Sequence, residues 1–412
     1  MTIFTVLRFT FQIYTIRFME LKDTIKNLAA SYYDELVAIR RHLHVHPELS
    51  YEEVETSKFI SQKLNEYGIE HTTNIGGHGI VGLIKGKNPT KKTIALRGDM
   101  DALPIEEKNT TDYISKNKGV MHACGHDVHT TCLLGAAKIL NEIKDTFEGT
   151  IKLIFQPAEE KLPGGASIMI KDGVLKTPTV ETIYGQHVLP QLETGKVAFK
   201  AGIAMASCDE LYITVKGKGG HGAVPQLTVD PVLIASNIVL ALQSVVSRNA
   251  NPLMPSVVSI GKFIANGATN IIPDEVKLEG TFRTFDEQWR KEAHEKIKTI
   301  CNNTAAAFGG TCDVLIDVGY PFLKNDEATT QSAFALAQAY LGKENVEEMP
   351  ARMTAEDFAY YTQEIPACFY RLGTGNIAKG ITSPIHTATF DVDENCLKIG
   401  SGLMAWIAVN GL

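Results

Sequence analysis

The sequence predicts an α/β protein of two domains, in which an α+β domain is inserted into a larger domain with a mostly parallel central sheet. In the first half of the chain, apolar runs of strand length alternate with segments of helical apolar spacing, a pattern typical of parallel sheets. After Cys208 the predicted order becomes β-α-β-β-α-β, which is that of a ferredoxin-like unit. A chain of 412 residues is also longer than one average domain.

The larger domain is predicted to open with helices and then to alternate strands with helices. Apolar residues at helical spacing indicate a helix over residues 21–44. Ser50 and Glu53 have the spacing of a capping box at the start of a second helix, which Gly68 would end. We expect the next elements in this order: a strand at residues 79–85, a buried strand at 92–97, an apolar helix at 130–143, and buried strands at 150–155 and 182–185.

The inserted domain is predicted to span residues 209–319, which leaves residues 19–208 and 320–412 for the larger domain. Asp230 followed by Pro231 is a typical helix start. Within the insertion, we expect strands at 210–216, 256–264, 275–283 and 312–318, and helices at 231–247 and 286–308. The chain then returns with helices near 326–342 and 354–362, a strand at 367–372 and a last helix from about residue 393.

Residues 1–18 are apolar and aromatic but contain Arg8 and Arg17. The segment is too short and too charged to span a bilayer, and it lacks the basic region and small-residue cleavage site of a signal peptide. We expect that translation starts near Met19, so that the segment is a mis-called start. A disordered extension and a short amphipathic membrane contact are the alternatives.

The composition is that of an ordinary soluble protein, with 44% hydrophobic and 21% charged residues. The net charge is −7 and no basic stripe is interleaved with aromatic residues, so nucleic-acid binding is not expected. The seven cysteines are scattered and odd in number, which argues against a small disulfide scaffold. A reducing compartment, and therefore a cytoplasmic location, is expected.

Two short segments, HACGHDVH at residues 122–129 and PAEE at 157–160, hold the residue types that bind metal ions. Both lie past the carboxyl ends of predicted strands, where open α/β sheets place their sites. In an extended segment the side chains of Cys124 and His126 face the same side and reach one metal centre, and Gly125 lets the backbone fold closely around it. The alternative is that these are ordinary buried polar residues.

The two glutamates of PAEE can divide the work of metal-assisted hydrolysis. In an extended stretch the carboxylates of Glu159 and Glu160 diverge, so that one binds metal while the other takes a proton from water. His187 follows the third buried strand and His386 follows the last strand, which makes each a further candidate ligand. For each histidine alone, a place in the core is the alternative.

Further motifs occur in order along almost the whole chain from about Glu35. They are LRGDMDALP, MHACGHDVHT, FQPAEE, GQHV, KGKGGHGAVP, ATNIIPD and IHTATFDVDE. This series resembles the signature blocks of the di-metal aminoacylase-type metallopeptidases. More narrowly, it resembles the branch of hippurate hydrolases, N-acyl-amino-acid amidohydrolases, N-acetyl-diaminopimelate deacetylases and plant auxin-conjugate hydrolases.

The resemblance implies a site for two divalent metal ions, and Zn, Mn, Co and Ni all suit a mixture of thiolate, imidazole and carboxylate. Glu159 would be the general base. Asp101 would orient a ligand histidine, whereas Asp99, where other branches have a histidine ligand, would be structural. The implied metal ligands are Cys124, which would replace a bridging carboxylate of other branches, and His126, Glu160, His187 and His386.

The resemblance also implies substrate contacts from the inserted domain. His221, in KGKGGHGAVP, would reach an active site, usually that of a partner subunit, and hydrogen-bond the scissile carbonyl oxygen. Asn270 and Arg283 are candidates for holding the free carboxylate of the substrate, because a guanidinium can grip a carboxylate through two hydrogen bonds. A loop histidine without function and a solvated arginine are the alternatives. By the same resemblance, the insertion would serve as a lid and dimerisation domain in a homodimer or higher homo-oligomer.

The activity that the resemblance implies is hydrolysis of N-acyl-L-amino acids, which are small molecules, to a carboxylate and a free amino acid. A carboxypeptidase or dipeptidase would use the same metal site, so the sequence separates the two poorly. An inactive metal-binding scaffold would require the loss of the base or a ligand, and every expected position is filled. A zinc nucleobase deaminase requires a P-C-x-x-C motif, which this sequence lacks.

Overall fold

The computed structural model describes residues 18–412 of the chain. The predictions for the start of the chain fall on residues 1–18, of which all but Phe18 lie outside the described residues. The chain divides into two compact units. The first unit runs to Gly202 and continues through Asn325–Pro350 and Tyr360–Leu412, and the second comprises Ile203–Lys324 and Ala351–Ala359.

Helices and strands alternate along most of the described chain. The helices are α1 (residues 18–31), α2 (Tyr33–Val45), α3 (Val54–Glu66), α4 (His126–Glu142), α5 (Gly165–Lys171), α6 (Pro231–Ser244), α7 (Glu287–Ala307), α8 (Glu327–Leu341), α9 (Ala359–Glu364) and α10 (Cys396–Gly411). The strands are β1 (Glu70–Ile75), β2 (Gly79–Lys85), β3 (Thr93–Asp99), β4 (Thr150–Gln156), β5 (Thr182–Glu193), β6 (Val197–Phe199), β7 (Gly202–Met205), β8 (Asp209–Lys216), β9 (Gly220–His221), β10 (Ser256–Ile264), β11 (Ile271–Ile272), β12 (Glu275–Thr284), β13 (Thr311–Val318), β14 (Leu323–Asn325), β15 (Val346–Glu348) and β16 (Ala367–Gly375).

The first unit is built on an 8-stranded sheet in the order β1-β2-β4-β3-β5-β16-β6-β15. The strand pairs β3/β4, β3/β5, β5/β16 and β6/β15 are parallel, and the remaining pairs are antiparallel. Every residue of β3 and β4 is buried, as expected of parallel strands that are covered on both faces. The predicted α/β class with a mostly parallel central sheet is confirmed.

Helix α4, which begins at His126, is held by contacts at its first turn and near its middle. At its first turn, Asp127 accepts hydrogen bonds from Arg40 Nε at 2.9 Å and from His44 Nδ1 at 2.7 Å, and all three side chains are buried. Further along, α10 packs against α4 so closely that a Cβ on Gly135 would lie 2.3 Å from Ser401 Oγ. The ion pair and the close packing together fix the position of the residues at the start of α4.

The second unit contains a 4-stranded antiparallel sheet in the order β10-β12-β8-β13. Strand β8 alternates buried with more exposed residues, the pattern of a sheet that is covered on one face. Apolar side chains of α6, α7 and this sheet form one core. In chain order the elements are β8, α6, β10, β12, α7 and β13, which is the β-α-β-β-α-β arrangement of a ferredoxin-like unit.

One helical stretch among the described residues, Pro231–Asn249, is long and apolar enough to cross a membrane by length and composition. It comprises α6 and a π-helical turn at Val245–Asn249. Its residues Ile234, Ile238 and Leu242 are fully buried in the core of the second unit. Leu233 and Leu240 of the same helix are exposed, so the core accounts for only one face of it.

The structure differs from several of the element predictions. The single helix predicted over residues 21–44 is two helices, which are separated by a turn at Tyr32. The last of the buried strands predicted before the insertion, β5, continues to Glu193, so His187 lies within it and does not follow it. Strand β1 was not predicted, because its sequence EHTTNI has exposed and half-buried residues and no apolar run.

The capping box predicted for Ser50 and Glu53 is wrong. Glu53 does occupy the N-cap of α3, but its side chain makes no capping hydrogen bond. The Ser50 hydroxyl donates to Asp101 Oδ2 at 2.6 Å, and Glu53 Oε1 accepts from the backbone N–H of Ala158 at 2.8 Å. Both side chains therefore face other segments of the first unit.

Candidate metal centre

The candidate site lies at the carboxyl ends of the parallel strands β3 and β4 and beside the middle of β5. Asp99 is the last residue of β3, and Asp101 follows it by two residues. The PAEE segment begins directly after Gln156, the last residue of β4. His187 belongs to the part of β5 that pairs with β16, where it is opposite Arg371. The register of the sheet thus brings segments that are distant in sequence to one edge.

Cys124 and His126 are brought together by the left-handed backbone of Gly125. Its φ is +85°, and His126 is the first residue of α4. The prediction that residues 124–126 are extended is therefore wrong. Cys124 and His126 nevertheless belong to one group of donor atoms that also includes His187. A Cβ on Gly125 would lie 2.6 Å from Val188 Cγ2, so the close approach requires glycine.

The donor atoms of the predicted ligands lie at distances suited to bound metal. Cys124 Sγ lies 3.4 Å from His187 Nε2 and 3.4 Å from His386 Nε2. His386 Nε2 lies 3.3 Å from Glu160 Oε1. Donors that hold one zinc ion tetrahedrally at about 2.0–2.3 Å are about 3.3–3.8 Å apart, so these spacings fit a shared ion.

Two groups of donors share the sulfur of Cys124. Within each group all ligand atoms lie within 4.8 Å of one another. The sulfur of Cys124 is therefore common to both groups. The first group is Cys124, His126 and His187, and the second is Cys124, Glu160 and His386.

Both carboxylates of PAEE approach His126. Its Nε2 atom lies 4.0 Å from Glu159 Oε2 and 3.9 Å from Glu160 Oε1. The prediction that the two carboxylates diverge is wrong, because Ala158 has a φ of +51° and the segment bends at the glutamates. The chain therefore gathers two carboxylates and an imidazole around one point.

Asp101 fixes the orientation of the His126 ring. Its Oδ1 atom lies 3.1 Å from His126 Nδ1, and its Oδ2 atom accepts from the backbone N–H of Glu160 at 3.0 Å. The ring therefore turns Nε2 toward the carboxylates. Nε2 is buried and has no hydrogen-bond partner within the described part of the chain, which is the state of a nitrogen that is free to bind a metal ion.

Electrostatics at the site also favour a cation. Burial, and then the charges of Glu160 and Glu159, raise the pKa of the Cys124 thiol well above its ordinary value. Burial lowers the pKa of His126, but the charge of Asp99 and the hydrogen bond with Asp101 outweigh burial and raise it to about 10. The site thus holds excess negative charge, and a metal ion would neutralise it and allow the thiolate to form.

His187 and His386 belong to different segments of the chain, a strand and a loop. The Nδ1 atom of His187 donates a hydrogen bond to the carbonyl of Val188 at 2.8 Å. Its Nε2 atom therefore faces Cys124 without a proton and with its lone pair free. Burial, and then the charge of Arg371, hold the pKa of His187 well below its ordinary value, which keeps the imidazole neutral. His386 lies in a loop with a φ of +61°, and its N–H donates to the carbonyl of Ala123 at 2.7 Å.

His129, to which the sequence assigned no role, links two strands of the site. Its Nε2 atom accepts the backbone N–H of Val188 at 2.9 Å, so its Nδ1 atom carries the proton and donates to Asp99 Oδ1. Asp99 also pairs with Arg97 and lies 3.9 Å from His126 Nε2. Its spacing of three residues from His126 placed His129 on the same helical face, which is a weak signal of this role.

The predicted substrate contacts belong to the second unit. His221 lies in β9, which pairs with β11, and its Nδ1 atom accepts from the backbone N–H of Ala223 at 3.0 Å. The carbonyl of Asn270 accepts from Gly222, next to His221. Arg283 lies in β12 and donates to the carbonyl of Met353 at 3.3 Å. Thus His221 lies in a small two-stranded sheet and Asn270 lies beside it. The roles of all three predicted residues stay predictions.

The sequence model of the Peptidase family M20/M25/M40 matches residues 95–409, which hold every predicted metal ligand. This chain belongs to that family. The resemblance stated from the motifs is therefore confirmed, and the metal-ligand groups described above lie within the matched region of this M20-family chain.

Curated relatives cover nearly the whole of this M20-family chain. It is 39% identical over 394 residues to "Thermostable carboxypeptidase 2" of Saccharolobus solfataricus, covering 95% of this chain and 99% of that one. It is 41% identical over 363 residues to the "N-acetyl-L-cysteine deacetylase" of Bacillus subtilis, covering 88% of this chain and 85% of that one. Both relatives are named for the hydrolysis of amide bonds.

A solved structure agrees with the fold. The YXEP protein of Bacillus subtilis, described as a dinuclear metal-binding peptidase of the M20 family, superposes with a TM-score of 0.78 at 35% identity. The match covers 93% of this chain and 99% of that one. Both units of the present chain thus fall within the length of a solved relative.

Proposed function

We propose that this chain is a metal-dependent amidohydrolase that cleaves N-acyl-L-amino acids to a carboxylate and a free amino acid. The observation that carries the proposal is that the sulfur of Cys124 belongs to two donor groups, one with His126 and His187 and the other with Glu160 and His386. The similarity to the N-acetyl-L-cysteine deacetylase, a relative named for the same reaction class, supports it.

The donor set fits two divalent metal ions, and we propose that Cys124 contacts both. His126 and His187 would complete one site, and Glu160 and His386 the other. When bound, such ions supply Lewis acidity, which lowers the pKa of water and polarises a carbonyl. The dinuclear description of the YXEP protein supports this number of ions, and the mixture of donors admits Zn, Mn, Co or Ni.

Glu159 is proposed as the general base. Its carboxylate lies beside His126 and is nearly buried, with 8% of the side chain exposed, so it can receive a proton from an attacking water in a site with little bulk solvent. It would return that proton to the departing amine. Asp101 would hold the His126 ring in place during both steps, as its hydrogen bond to Nδ1 does here.

The second unit is proposed to act as a lid and dimerisation domain. In this proposal His221 hydrogen-bonds the scissile carbonyl oxygen, and Asn270 and Arg283 hold the free carboxylate of the substrate. The proposed assembly is a homodimer or higher homo-oligomer, and the proposed location is the cytoplasm. The scattered cysteines, all free in the described chain, are consistent with a reducing compartment.

A carboxypeptidase or dipeptidase activity is the second candidate. The 39% identity to a thermostable carboxypeptidase favours it. Both reactions hydrolyse an amide bond next to a free carboxylate, so the metal site described above would serve either. The two candidates differ only in the group on the acyl side of the scissile bond.

The test is hydrolysis by metal-depleted protein to which Mn, Co, Ni and Zn are added back separately. The substrates are hippurate, N-acetyl-methionine, N-acetyl-diaminopimelate, an indole-acetyl conjugate and a matched dipeptide. Metal-restored release of the amino acid from an N-acyl substrate at a higher kcat/KM than from the dipeptide is the expected result. Preference for the dipeptide would favour the peptidase, and release from neither with metal bound would reject both.

A further inference from the structure

A short segment before α3 contacts the two loops that carry Asp101 and the PAEE glutamates. Ser50, Tyr51 and Glu53 contribute side chains to four hydrogen bonds with Asp101 and with residues 157–164. In one of them the Tyr51 hydroxyl donates to the carbonyl of Lys161 at 3.0 Å. The Ser50 hydroxyl donates to Asp101 Oδ2 at 2.6 Å. The Tyr51 hydroxyl accepts from the backbone N–H of Gly164 at 3.2 Å, and Glu53 accepts from that of Ala158 at 2.8 Å.

Ala158 is the residue whose backbone sets the direction of both glutamates that follow it. Its φ of +51° is left-handed, a conformation that is unfavourable for a residue with a Cβ. The turn is closed by the N–H of Gly165, which donates to the Ala158 carbonyl at 2.9 Å. A Cβ on Gly165 would lie 1.7 Å from the carbonyl oxygen of Pro157, so the turn is tightly packed.

Glu53 holds the other side of this turn. Its side chain is fully buried, and its Oε1 atom accepts the Ala158 N–H. Burial, and then the charge of Asp101, raise the pKa of Glu53 to about 7. A buried carboxyl is costly unless it makes hydrogen bonds that the structure needs. Its Oε1 atom can accept from Ala158 in either protonation state.

We propose that Glu53 is a positioning residue: it fixes the left-handed backbone of Ala158 and thereby places Glu159 as the base and Glu160 as a metal ligand. The role rests on the proposed function only for Glu159, because the placing of a metal-binding carboxylate does not depend on the substrate. Ser50 supports the same site through Asp101, which contacts both His126 and the N–H of Glu160.

The test compares Glu53→Leu, which removes the acceptor, with Glu53→Gln, which keeps an oxygen that accepts from Ala158. Cobalt affinity of each full-length protein is measured by chelator competition, and kcat and KM are measured with N-acetyl-methionine. We expect Glu53→Leu to weaken cobalt binding about tenfold or more and to lower kcat by a similar factor, with KM little changed. Glu53→Gln is expected to restore both quantities to within about twofold of the original protein.

Glu52→Leu is the matched control. It makes the same change of charge and size at a neighbouring residue that is exposed. Its cobalt affinity and turnover should equal those of the original protein. Should Glu53→Leu not fold, Glu53→Ala, which leaves room for water, takes its place with the same expectations.

The outcomes separate this inference from the proposed function. Original affinity and kcat in Glu53→Leu would overturn the role of Glu53, as would a Glu53→Gln variant that is as impaired as the leucine variant. If the original protein hydrolyses no N-acyl amino acid, the proposed function fails, but the three cobalt affinities still decide whether Glu53 places the metal-binding carboxylate.

Discussion

At the residue scale, the candidate site depends on which atom each side chain turns toward the others. His126 turns Nε2 to the carboxylates because Asp101 holds Nδ1. His187 turns Nε2 to Cys124 because the carbonyl of Val188 accepts from its Nδ1. In each case a neighbour outside the proposed ligand set orients the ring of the proposed ligand.

Glu159→Gln should separate catalysis from metal binding. Glutamine has nearly the same shape but cannot accept a proton, so turnover should fall about 10³-fold, while the other donors keep the metal. Metal content is measured by elemental analysis, and kcat is measured under saturating substrate. Glu52→Gln, the same change at an exposed position, is the control. A kcat close to that of the original protein would exclude Glu159 as the base.

At the scale of the elements, Gly125 shows how the start of one helix shapes the site. Helix α4 begins at His126, and the left-handed backbone of Gly125 folds Cys124 back against β5. The Val188 side chain fills the space where a Cβ on residue 125 would lie. The close contact between the start of α4 and β5 therefore requires glycine at position 125.

Gly125→Ala is expected to lower both stability and metal affinity. Gly68→Ala is the matched control, because Gly68 has a φ of +68° and nothing within 4 Å of the position of its Cβ. Both variants should lose about 1–2 kcal/mol through the left-handed backbone. Gly125→Ala should lose a further 1–3 kcal/mol, roughly, through the clash with Val188. Urea unfolding of metal-free protein measures the difference, and equal losses would contradict the packing argument.

Asp209 connects β8 to α7 in the second unit and makes its stability depend on pH. The carboxylate is buried and contacts Arg290 Nη2 at 2.5 Å and His294 Nε2 at 2.7 Å. Burial raises the pKa of Asp209, but the hydrogen bonds from His294 and Arg290 outweigh burial and hold it below its ordinary value. Stability from this carboxylate is therefore complete above the unfolded pKa of about 3.9 and is lost as the pH falls through the lower folded value.

Asp209→Asn should remove this contribution. Near pH 7 the variant should unfold with about 3 kcal/mol less free energy, because Arg290 keeps its charge in a buried place. Below about pH 4 the difference from the original protein should shrink, since the unfolded chain of the original protein then binds a proton at Asp209 that the folded carboxylate binds only at lower pH. Hydrogen exchange of amides in β8 and α7 measures the difference in unfolding free energy between the two proteins at each pH. A difference that is the same at pH 7 and pH 3 would contradict the assignment.

At the scale of the whole molecule, the proposed ligands come from segments that are distant in sequence, such as PAEE and the loop of His386. Metal that binds the folded chain and not the unfolded chain stabilises the fold by RT ln(1 + [M]/Kd), or about 2.7 kcal/mol at one hundred times Kd. A chelator should therefore lower the Tm of the protein, and added Zn or Mn should restore it. Calorimetry of a Cys124→Ala/His126→Ala variant is the control. An equal chelator effect in that variant would show that the ion acts elsewhere.

The sequence by itself determined the class of fold and predicted which residues are candidate metal donors. Alternating strands and helices predict a mostly parallel sheet because each pattern is local, and Cys124, His126, Glu160, His187 and His386 are suited to metal by their chemistry alone. The change of pattern after Cys208 likewise predicts the β-α-β-β-α-β order that the second unit has.

The tertiary structure decided how those donors face one another. Two segments predicted to be extended instead contain the left-handed residues Gly125 and Ala158. Ser50 and Glu53, predicted to cap a helix, instead hydrogen-bond Asp101 and the PAEE segment. Spacing along the chain predicts contacts within one element, whereas these contacts join loops from different elements. The physical reason is that a buried polar side chain bonds whichever partner the packed fold brings to it.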